Sequence, residues 1–169
     1  MTEHIKIERK DGILTLTFAR PDKKNALTNA MYGVLADSLG SAETDPAARV
    51  IVLRGEGDMF TSGNDVGEFA AIAAGAVQGE RHVSRFVRAL AQSTRPLVAA
   101  VQGRAVGIGT TMLLHCDFVV LAQNAQLSTP FVNLAPTMQH LPYNNGKPGF
   151  LGAAHAPFRP EAEGKDDLV

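Results

Sequence analysis

Apolar runs of strand length alternate with stretches of helical period along most of this chain, and that alternation limits what it can fold into. Stretches of helical period lie at residues 28–42, 66–74 and 80–92, and a further helix is expected from the turn at residues 103–109 through about residue 115. Apolar runs of strand length lie at residues 50–53, 97–101 and 118–121. Glycine or proline lies at most of the junctions between them. Alternating strands and helices predict an α/β domain with strands joined by helices.

The N-terminal part of the chain predicts a hairpin and then a capped helix. Apolar and polar residues alternate on both sides of residues 10–12, and the Lys-Asp-Gly sequence there favours a tight reversal. Residues 20–25 are expected to form a polar loop, and Thr28 is a candidate N-cap for the helix that follows. A last short strand is expected at residues 125–128.

Size and charge narrow the classes of function. With 169 residues, 45% hydrophobic and 20% charged, the chain is expected to fold as one globular domain. Its net charge of -1 gives no reason to expect nucleic acid or an anionic membrane surface as a partner. The single cysteine, the absence of an apolar signal segment and the lack of any apolar run of about 18 residues predict a cytoplasmic protein.

Two glycine-bearing turns, at residues 59–66 and 102–111, are the segments from which we expect chemistry. Each links a strand to a helix, and each leaves backbone N–H groups free at the N-terminus of that helix. The spacing of Gly103, Gly107 and Gly109 is not that of a dinucleotide fingerprint. Taken from the residues alone, each turn is either a plain turn or an anion site, and two facing one point would form an oxyanion hole.

These turns, together with the loop before the first helix, resemble the motifs of the crotonase family of enoyl-CoA hydratases and isomerases. Residues 60–66, Phe-Thr-Ser-Gly-Asn-Asp-Val, are similar to the family pattern F-x-[AS]-G-x-D-[LIV]. Residues 103–109 resemble its G-x-[AV]-x-G-x-G turn, and residues 18–27 resemble its N-x-P-x-x-x-N-A-[LM] loop. The resemblance covers about residues 5–135 and implies the ClpP/crotonase-like fold, a spiral of repeated ββα units.

The resemblance also implies a set of site residues. The backbone N–H groups of Asn64 and Ile108 would hold the thioester oxygen of an acyl-CoA, which is the small-molecule partner that we expect. The other residues implied for CoA and acyl binding are Lys23, Lys24, Ala26, Ser62, Gly63, Asp65, Val66, Gly107, Thr111 and Phe131. The two lysines would approach the CoA phosphates or remain solvated loop charges, and Asp65 is expected to fix its turn rather than to react.

The chain departs from the family where the catalytic acids belong. Thr111 and Phe131 occupy positions where hydratases carry glutamates, so the ordinary hydratase mechanism is not expected. Residues 129–134, Thr-Pro-Phe-Val-Asn-Leu, resemble the Δ3,Δ2-enoyl-CoA isomerase branch, in which one glutamate moves a proton from C2 to C4. That glutamate belongs to a Pro-Glu pair, and residues 135–139 read Ala-Pro-Thr-Met-Gln instead. Glu68 is the nearby acid that could substitute.

The character of the chain changes after residue 135. Five of its nine prolines lie within residues 136–160, and no helical period is kept there. We expect an acyl-CoA-binding core at residues 1–135 and an atypical tail at residues 136–169 in place of the family's C-terminal helices. A frame-shifted end is one hypothesis for that tail, and natural divergence is the alternative. A homo-oligomer is expected by family, a trimer or a dimer of trimers, weakened by this tail.

The functional prediction is isomerase-type proton transfer on an enoyl-CoA, with no metal and no cofactor beyond the coenzyme A of the substrate. The alternative is a non-catalytic acyl-CoA-binding or subunit-interaction protein, because the usual glutamate positions are not acidic. A truncated product without function of its own is a third possibility. His115, Cys116 and Asp117 stand in a row and are expected to be structural rather than metal ligands.

Overall fold

A computed structural model describes residues 3–73 and 80–129 of the chain. These residues belong to the first of two units into which the chain divides, Met1–Asn133. The predicted tail at residues 136–169 lies outside the described residues, so the predicted division at residue 135 remains a prediction.

The chain begins with the predicted hairpin. Strands β1 (Ile5–Lys10) and β2 (Ile13–Phe18) pair antiparallel, with Lys10 opposite Ile13. Asp11 and Gly12 connect them with φ angles of 53° and 85°. Two consecutive positive φ angles are what a two-residue hairpin turn of type I′ requires, and Asp-Gly is a favoured pair for it.

A mixed sheet grows from this hairpin. Strands β3 (Val50–Gly55), β4 (Leu97–Val101) and β6 (Phe118–Leu121) add in parallel, and the strand order is β1-β2-β3-β4-β6. The central strands β2, β3 and β4 contribute alternate side chains to the core, as the pleat requires. Side chains with no exposed area on these strands are Leu14, Leu16, Phe18, Ile51, Leu53 and Ala99.

Helices α1 (Asn29–Thr44) and α3 (His82–Gln92) pack against each other and add their apolar side chains to the same core. Thr28 is the N-cap of α1, as predicted, because its hydroxyl accepts the backbone N–H of Met31 at 3.3 Å. The rings of Tyr32 and Phe86 join the two helices, with centroids 5.5 Å apart. Helix α2 (Val66–Ala73) begins directly after the first glycine turn. The predicted α/β architecture is therefore confirmed.

The second glycine turn is more structured than the sequence predicts. Strand β5 (Arg104–Val106) lies inside it and pairs in parallel with β7 (Gln126–Ser128), which forms a small separate sheet. We expected one helix through about residue 115. Instead, a short helix α4 (Ile108–Thr111) continues as the 3-10 turn Met112–His115. The polar loop at residues 20–25 likewise contains a 3-10 turn, Pro21–Lys23.

Strand β6 forms one edge of the large sheet, and all four of its residues are exposed. Phe118 is 68% exposed and Val120 62%. Leu114 and Leu127 are other large apolar side chains with wide exposure. Adjacent exposed apolar residues such as those of β6, unlike single scattered ones, mark a candidate interaction surface. None of the helices within residues 3–73 and 80–129 is long and apolar enough to cross a bilayer.

Candidate functional site

The two glycine turns lie side by side. Thr61 and Ala105 form a parallel bridge, in which the Thr61 N–H donates to Arg104 O and the Val106 N–H donates to Thr61 O, each at 3.0 Å. Phe60 extends the contact, because its N–H donates to Gln102 O at 2.9 Å. Segments separated by about forty residues in sequence are thereby joined by backbone hydrogen bonds, as two turns sharing one site require.

Glycine is necessary where the turns approach most closely. Gly63 has a φ of 89°, and a Cβ added to it would lie 2.7 Å from the backbone oxygen of Val106. A Cβ added to Gly109 would collide with the side-chain methyl of Thr61, which is itself fully buried. Any larger residue at these two positions would push the turns apart.

The backbone N–H of Asn64 is directed away from its bridge partner. Leu27 and Asn64 form a parallel bridge, in which the Leu27 N–H donates to Gly63 O at 2.8 Å and the Asp65 N–H donates to Leu27 O at 2.9 Å. Successive peptide groups of an extended chain alternate in direction, so the Asn64 N–H between them points to the other side. It has no acceptor among the described residues.

The second free N–H belongs to Ile108. Gly107 adopts φ 57° and ψ -116°, and its own N–H donates to Ser128 O at 2.8 Å. Ile108 is the first residue of α4, so no carbonyl within the helix is in reach of its N–H, and no other acceptor within residues 3–73 and 80–129 takes its place. The two adjacent turns therefore each present one unused backbone donor.

Asp65 ties the first turn to the loop before α1. Its Oδ2 accepts Arg20 Nη1 at 2.6 Å, and the same Arg20 nitrogen lies 3.1 Å from Ala26 O. Its Oδ1 accepts the backbone N–H of Glu68 at 3.1 Å and so caps the first turn of α2. The hydrogen bond from Arg20 is the main reason that the pKa of Asp65 lies below its ordinary value. Both carboxylate oxygens thus have structural partners.

Two buried polar side chains complete the frame. The Thr61 hydroxyl donates to Asn25 O at 2.6 Å and accepts the Gly63 N–H at 3.1 Å. Asn25, with a φ of 54°, donates from Nδ2 to Glu56 O and Met59 O, and its Oδ1 accepts the Arg20 N–H. Neither Thr61 nor Asn25 has exposed area. Satisfied networks of this kind specify one backbone arrangement, because leaving a buried member unpaired is costly.

A cavity of about 90 Å³ opens beside Asn64. The described residues that line it are Leu27, Asn29, Tyr32, Asn64, Asp65, Glu68, Arg81 and Val83. Tyr32, which is 3% exposed, donates from its hydroxyl to Asn64 Oδ1 at 2.5 Å. Burial, and then the charge of Glu68, raise the pKa of Tyr32 well above its ordinary value, so the hydroxyl keeps its proton. The side chain of Asn64 is thereby held in one orientation.

Glu68, the acid considered as a substitute base, lines this cavity but has a structural partner. Its Oε2 accepts the backbone N–H of Asn29 at 2.6 Å, at the N-terminus of α1. A carboxylate in that position satisfies an N–H that the helix leaves unused and interacts favourably with the helix dipole. Proton transfer by Glu68 would have to compete with this contact.

The structure brings most of the other predicted site residues to the same place. Ser62 N–H donates to Lys24 O at 2.9 Å, so the loop with Lys23, Lys24 and Ala26 runs along the first turn. Both lysines are exposed, and Val66 is 79% exposed at the start of α2. Thr111 lies at the end of α4, and Phe131 falls outside the described residues. The roles assigned to these residues, and to Gly63, Asp65 and Gly107, remain predictions.

The His115–Asp117 row has a structural arrangement. Asp117 Oδ2 accepts the Leu97 N–H at 2.8 Å, which fixes the start of β4. Burial, and then the charge of Asp117, raise the pKa of Cys116 to about 11, so its thiol stays protonated at neutral pH. Within residues 3–73 and 80–129, no three His, Cys, Asp or Glu side chains converge as a metal site would require.

Sequence reasoning missed three side chains at the site. Arg20 lies in the predicted polar loop, and its guanidinium pairs with Asp65, which is 45 residues further along the chain. Tyr32 lies one turn before Ala36 on the buried face of α1, which is a signal for burial but none for a contact with Asn64. Arg81 lines the cavity from the residue before α3, and nothing in the sequence marks it.

Comparison with known proteins supports the family that the sequence motifs resemble. The family model described as enoyl-CoA hydratase/isomerase matches residues 8–140. The chain is 38% identical over 134 residues to enoyl-CoA delta isomerase 2 of Rattus norvegicus, covering 77% of this chain and 34% of that protein. It is 35% identical over 128 residues to the 2,3-dehydroadipyl-CoA hydratase of Escherichia coli K12, and the match covers 76% of this chain and 50% of that protein.

Solved structures give the same result. The structure of Pseudomonas aeruginosa OdaA is 50% identical, with a TM-score of 0.71, and the match covers 79% of this chain and 53% of that one. An enoyl-CoA hydratase/isomerase structure from Acinetobacter baumannii is 35% identical, with a TM-score of 0.75, and the match covers 79% of this chain and 55% of that one. The chain belongs to the enoyl-CoA hydratase/isomerase family, and the predicted crotonase fold is confirmed. It spans about a third to a half of the curated relatives it matches.

Proposed function

We propose that the chain binds an acyl-CoA thioester, and that the backbone N–H groups of Asn64 and Ile108 hold its thioester oxygen. The observation that carries this proposal is the bridge between Thr61 and Ala105, which places the two turns side by side. Each turn presents a donor without an acceptor among the described residues. Two aimed donors stabilise the enolate oxygen, and removing one such donor costs about 10²–10³ in rate.

The reaction that we propose is proton transfer between C2 and C4 of an enoyl-CoA, as in a Δ3-Δ2 isomerisation. Relatives at 36–38% identity are named enoyl-CoA delta isomerase 2, which supports this branch. The double bond moves while the proton removed from one carbon is returned to another, so no redox cofactor or metal is needed. The coenzyme A of the substrate is the only cofactor in this proposal.

A non-catalytic acyl-CoA-binding protein is the second candidate. Thr111 occupies one hydratase acid position, and Glu68 is held by the Asn29 N–H at 2.6 Å. A missing general base costs about 10²–10⁴ in rate while leaving thioester binding in place. Binding and turnover therefore separate the two candidates.

The test is a calorimetric titration of the chain with octanoyl-CoA, followed by an assay for conversion of a 3-enoyl-CoA to the 2-enoyl-CoA. Micromolar binding that is lost in Gly107→Val supports the shared oxyanion hole. Measurable turnover then favours the isomerase, and binding without turnover favours the second candidate. A well-folded chain that does not bind octanoyl-CoA would show that the proposal is wrong.

Assembly and location form a further part of the proposal. The exposed apolar side chains of β6, with Phe118 at 68% and Val120 at 62%, support burial against further copies of the chain in a homotrimer. Light scattering coupled to size-exclusion chromatography measures the number of copies, and a monomer at all concentrations would contradict the homotrimer.

A cytoplasmic location is proposed on the sequence alone, and imaging of a tagged chain in cells tests it.

A further inference from the structure

We propose that the cavity beside Asn64 receives a short acyl group that ends in a carboxylate, and that Arg81 binds this carboxylate. The inference rests on the proposed function, since Asn64, whose backbone N–H would hold the thioester oxygen, also lines this cavity. It adds the chemical class of the acyl group to that function.

The acids that line the cavity are already compensated. Asp65 Oδ2 lies 2.6 Å from Arg20 Nη1, which offsets its charge. Glu68 Oε2 accepts the Asn29 N–H at 2.6 Å, where the positive end of the α1 dipole faces it. Neither carboxylate therefore needs the guanidinium of Arg81.

Among the described residues that line the cavity, Arg81 is the cation, and no described residue pairs with it. It is exposed, and its guanidinium makes no hydrogen bond or ion pair with the rest of residues 3–73 and 80–129. Residues 74–79 precede it along the chain and contain no acidic residue. A guanidinium offers paired donors whose geometry matches a carboxylate, and such charge-assisted bonds are the stronger kind.

The cavity has the shape and size for a short chain. Leu27, Tyr32 and Val83 provide an apolar wall for methylene groups between Asn64 and Arg81. Its volume of about 90 Å³ is several times what a single water molecule needs, so the cavity has room for a small group. A short acyl group with a terminal carboxylate is the class of ligand that we infer for it.

The experiment compares two five-carbon thioesters that differ only at the far end, glutaryl-CoA and pentanoyl-CoA. Calorimetry at low salt is expected to show glutaryl-CoA binding about tenfold more tightly, as one charge-assisted interaction provides. Arg81→Gln should abolish that preference and leave the pentanoyl-CoA affinity unchanged, which also shows that the variant is folded. Arg88→Gln is the matched control, because Arg88 is exposed on α3, which Arg81 immediately precedes, and does not line this cavity.

The outcomes distinguish this inference from the function on which it rests. Equal affinity of the two thioesters, or a glutaryl preference that survives in Arg81→Gln, overturns the role of Arg81 and leaves acyl-CoA binding standing. Absence of binding by both thioesters overturns the proposed function and this inference together.

Discussion

The two glycine turns are held by different kinds of contact. The first, at residues 59–66, is fixed from inside by Thr61, which is fully buried, and by the Arg20–Asp65 ion pair. The second, at residues 102–111, is fixed through β7, whose three residues are all exposed. Gly107 N–H donates to Ser128 O, and the Thr110 hydroxyl lies 2.6 Å from Ala105 O and accepts the Ser128 N–H at 3.2 Å.

The two halves of the proposed oxyanion hole are therefore expected to differ in local stability. Bonds buried in a core open only with the global fold, whereas exposed bonds at an edge open with smaller free energies. We therefore expect the Asn64 donor to be positioned more rigidly than the Ile108 donor. Variants in each turn test that comparison.

The largest effect is expected for Gly63→Ala. The new Cβ would lie 2.7 Å from Val106 O, and the φ of 89° is unfavourable for alanine. The clash and the backbone strain together should lower the free energy of unfolding by about 3 kcal/mol, measured by urea denaturation.

Gly40→Ala is the matched control for Gly63→Ala. Gly40 lies within α1, and no atom is within 4 Å of a Cβ added to it. Replacing glycine by alanine inside a helix should raise the free energy of unfolding by about 0.5–1 kcal/mol. If Gly63→Ala were as stable as Gly40→Ala, this would contradict the close approach of the two turns at Gly63.

The paired variants Thr61→Val and Thr110→Val compare the two turns directly. Valine in place of buried Thr61 leaves Asn25 O and the Gly63 N–H unpaired, which should cost about 2–3 kcal/mol of unfolding free energy. Thr110 is half-buried and its partners are closer to solvent, so about 1 kcal/mol is expected. Guanidinium denaturation of both variants measures this, and a larger loss for Thr110→Val would reverse the comparison.

Gly107→Ala should separate binding from stability. No atom lies within 4 Å of the added Cβ, so only the conformation at φ 57° and ψ -116° is strained, at about 1–2 kcal/mol. Relief of that strain would turn the Ile108 N–H away from the thioester oxygen. We expect acyl-CoA affinity to fall by at least about tenfold by calorimetry, and unchanged affinity would exclude Ile108 as a donor.

The smallest effect is expected for Asp65→Asn, and it should depend on pH. Arg20 lowers the pKa of Asp65 in the folded chain, so this contribution is complete above the unfolded-state pKa of about 3.9. It disappears as the pH falls through the folded-state pKa. The variant should lose about 1 kcal/mol of unfolding free energy at neutral pH and nothing in strong acid. A difference that persists unchanged into strong acid would mean that the ion pair does not stabilise the first turn.

The sequence predicted the parts of the site that are built from backbone. Gly63 and Gly107 were expected at turns that only glycine forms readily, and both have positive φ angles. The sequence did not predict that the second turn contains β5, because Arg104–Val106 forms a strand through its pairing with the distant β7 and its bridge to Thr61. A three-residue strand has too few residues for an alternating pattern, so periodicity cannot reveal it.

By itself, the sequence determined the order of the longer strands and helices, the two glycine turns and the family, since each depends on local conformational preference or on a motif of adjacent residues. Only the tertiary structure decided that Arg20 pairs with Asp65, that Tyr32 orients Asn64 and that Arg81 lines the same cavity. The first two contacts join residues 45 and 32 positions apart along the chain. Burial and hydrogen bonding select among many equivalent polar side chains only once the elements pack.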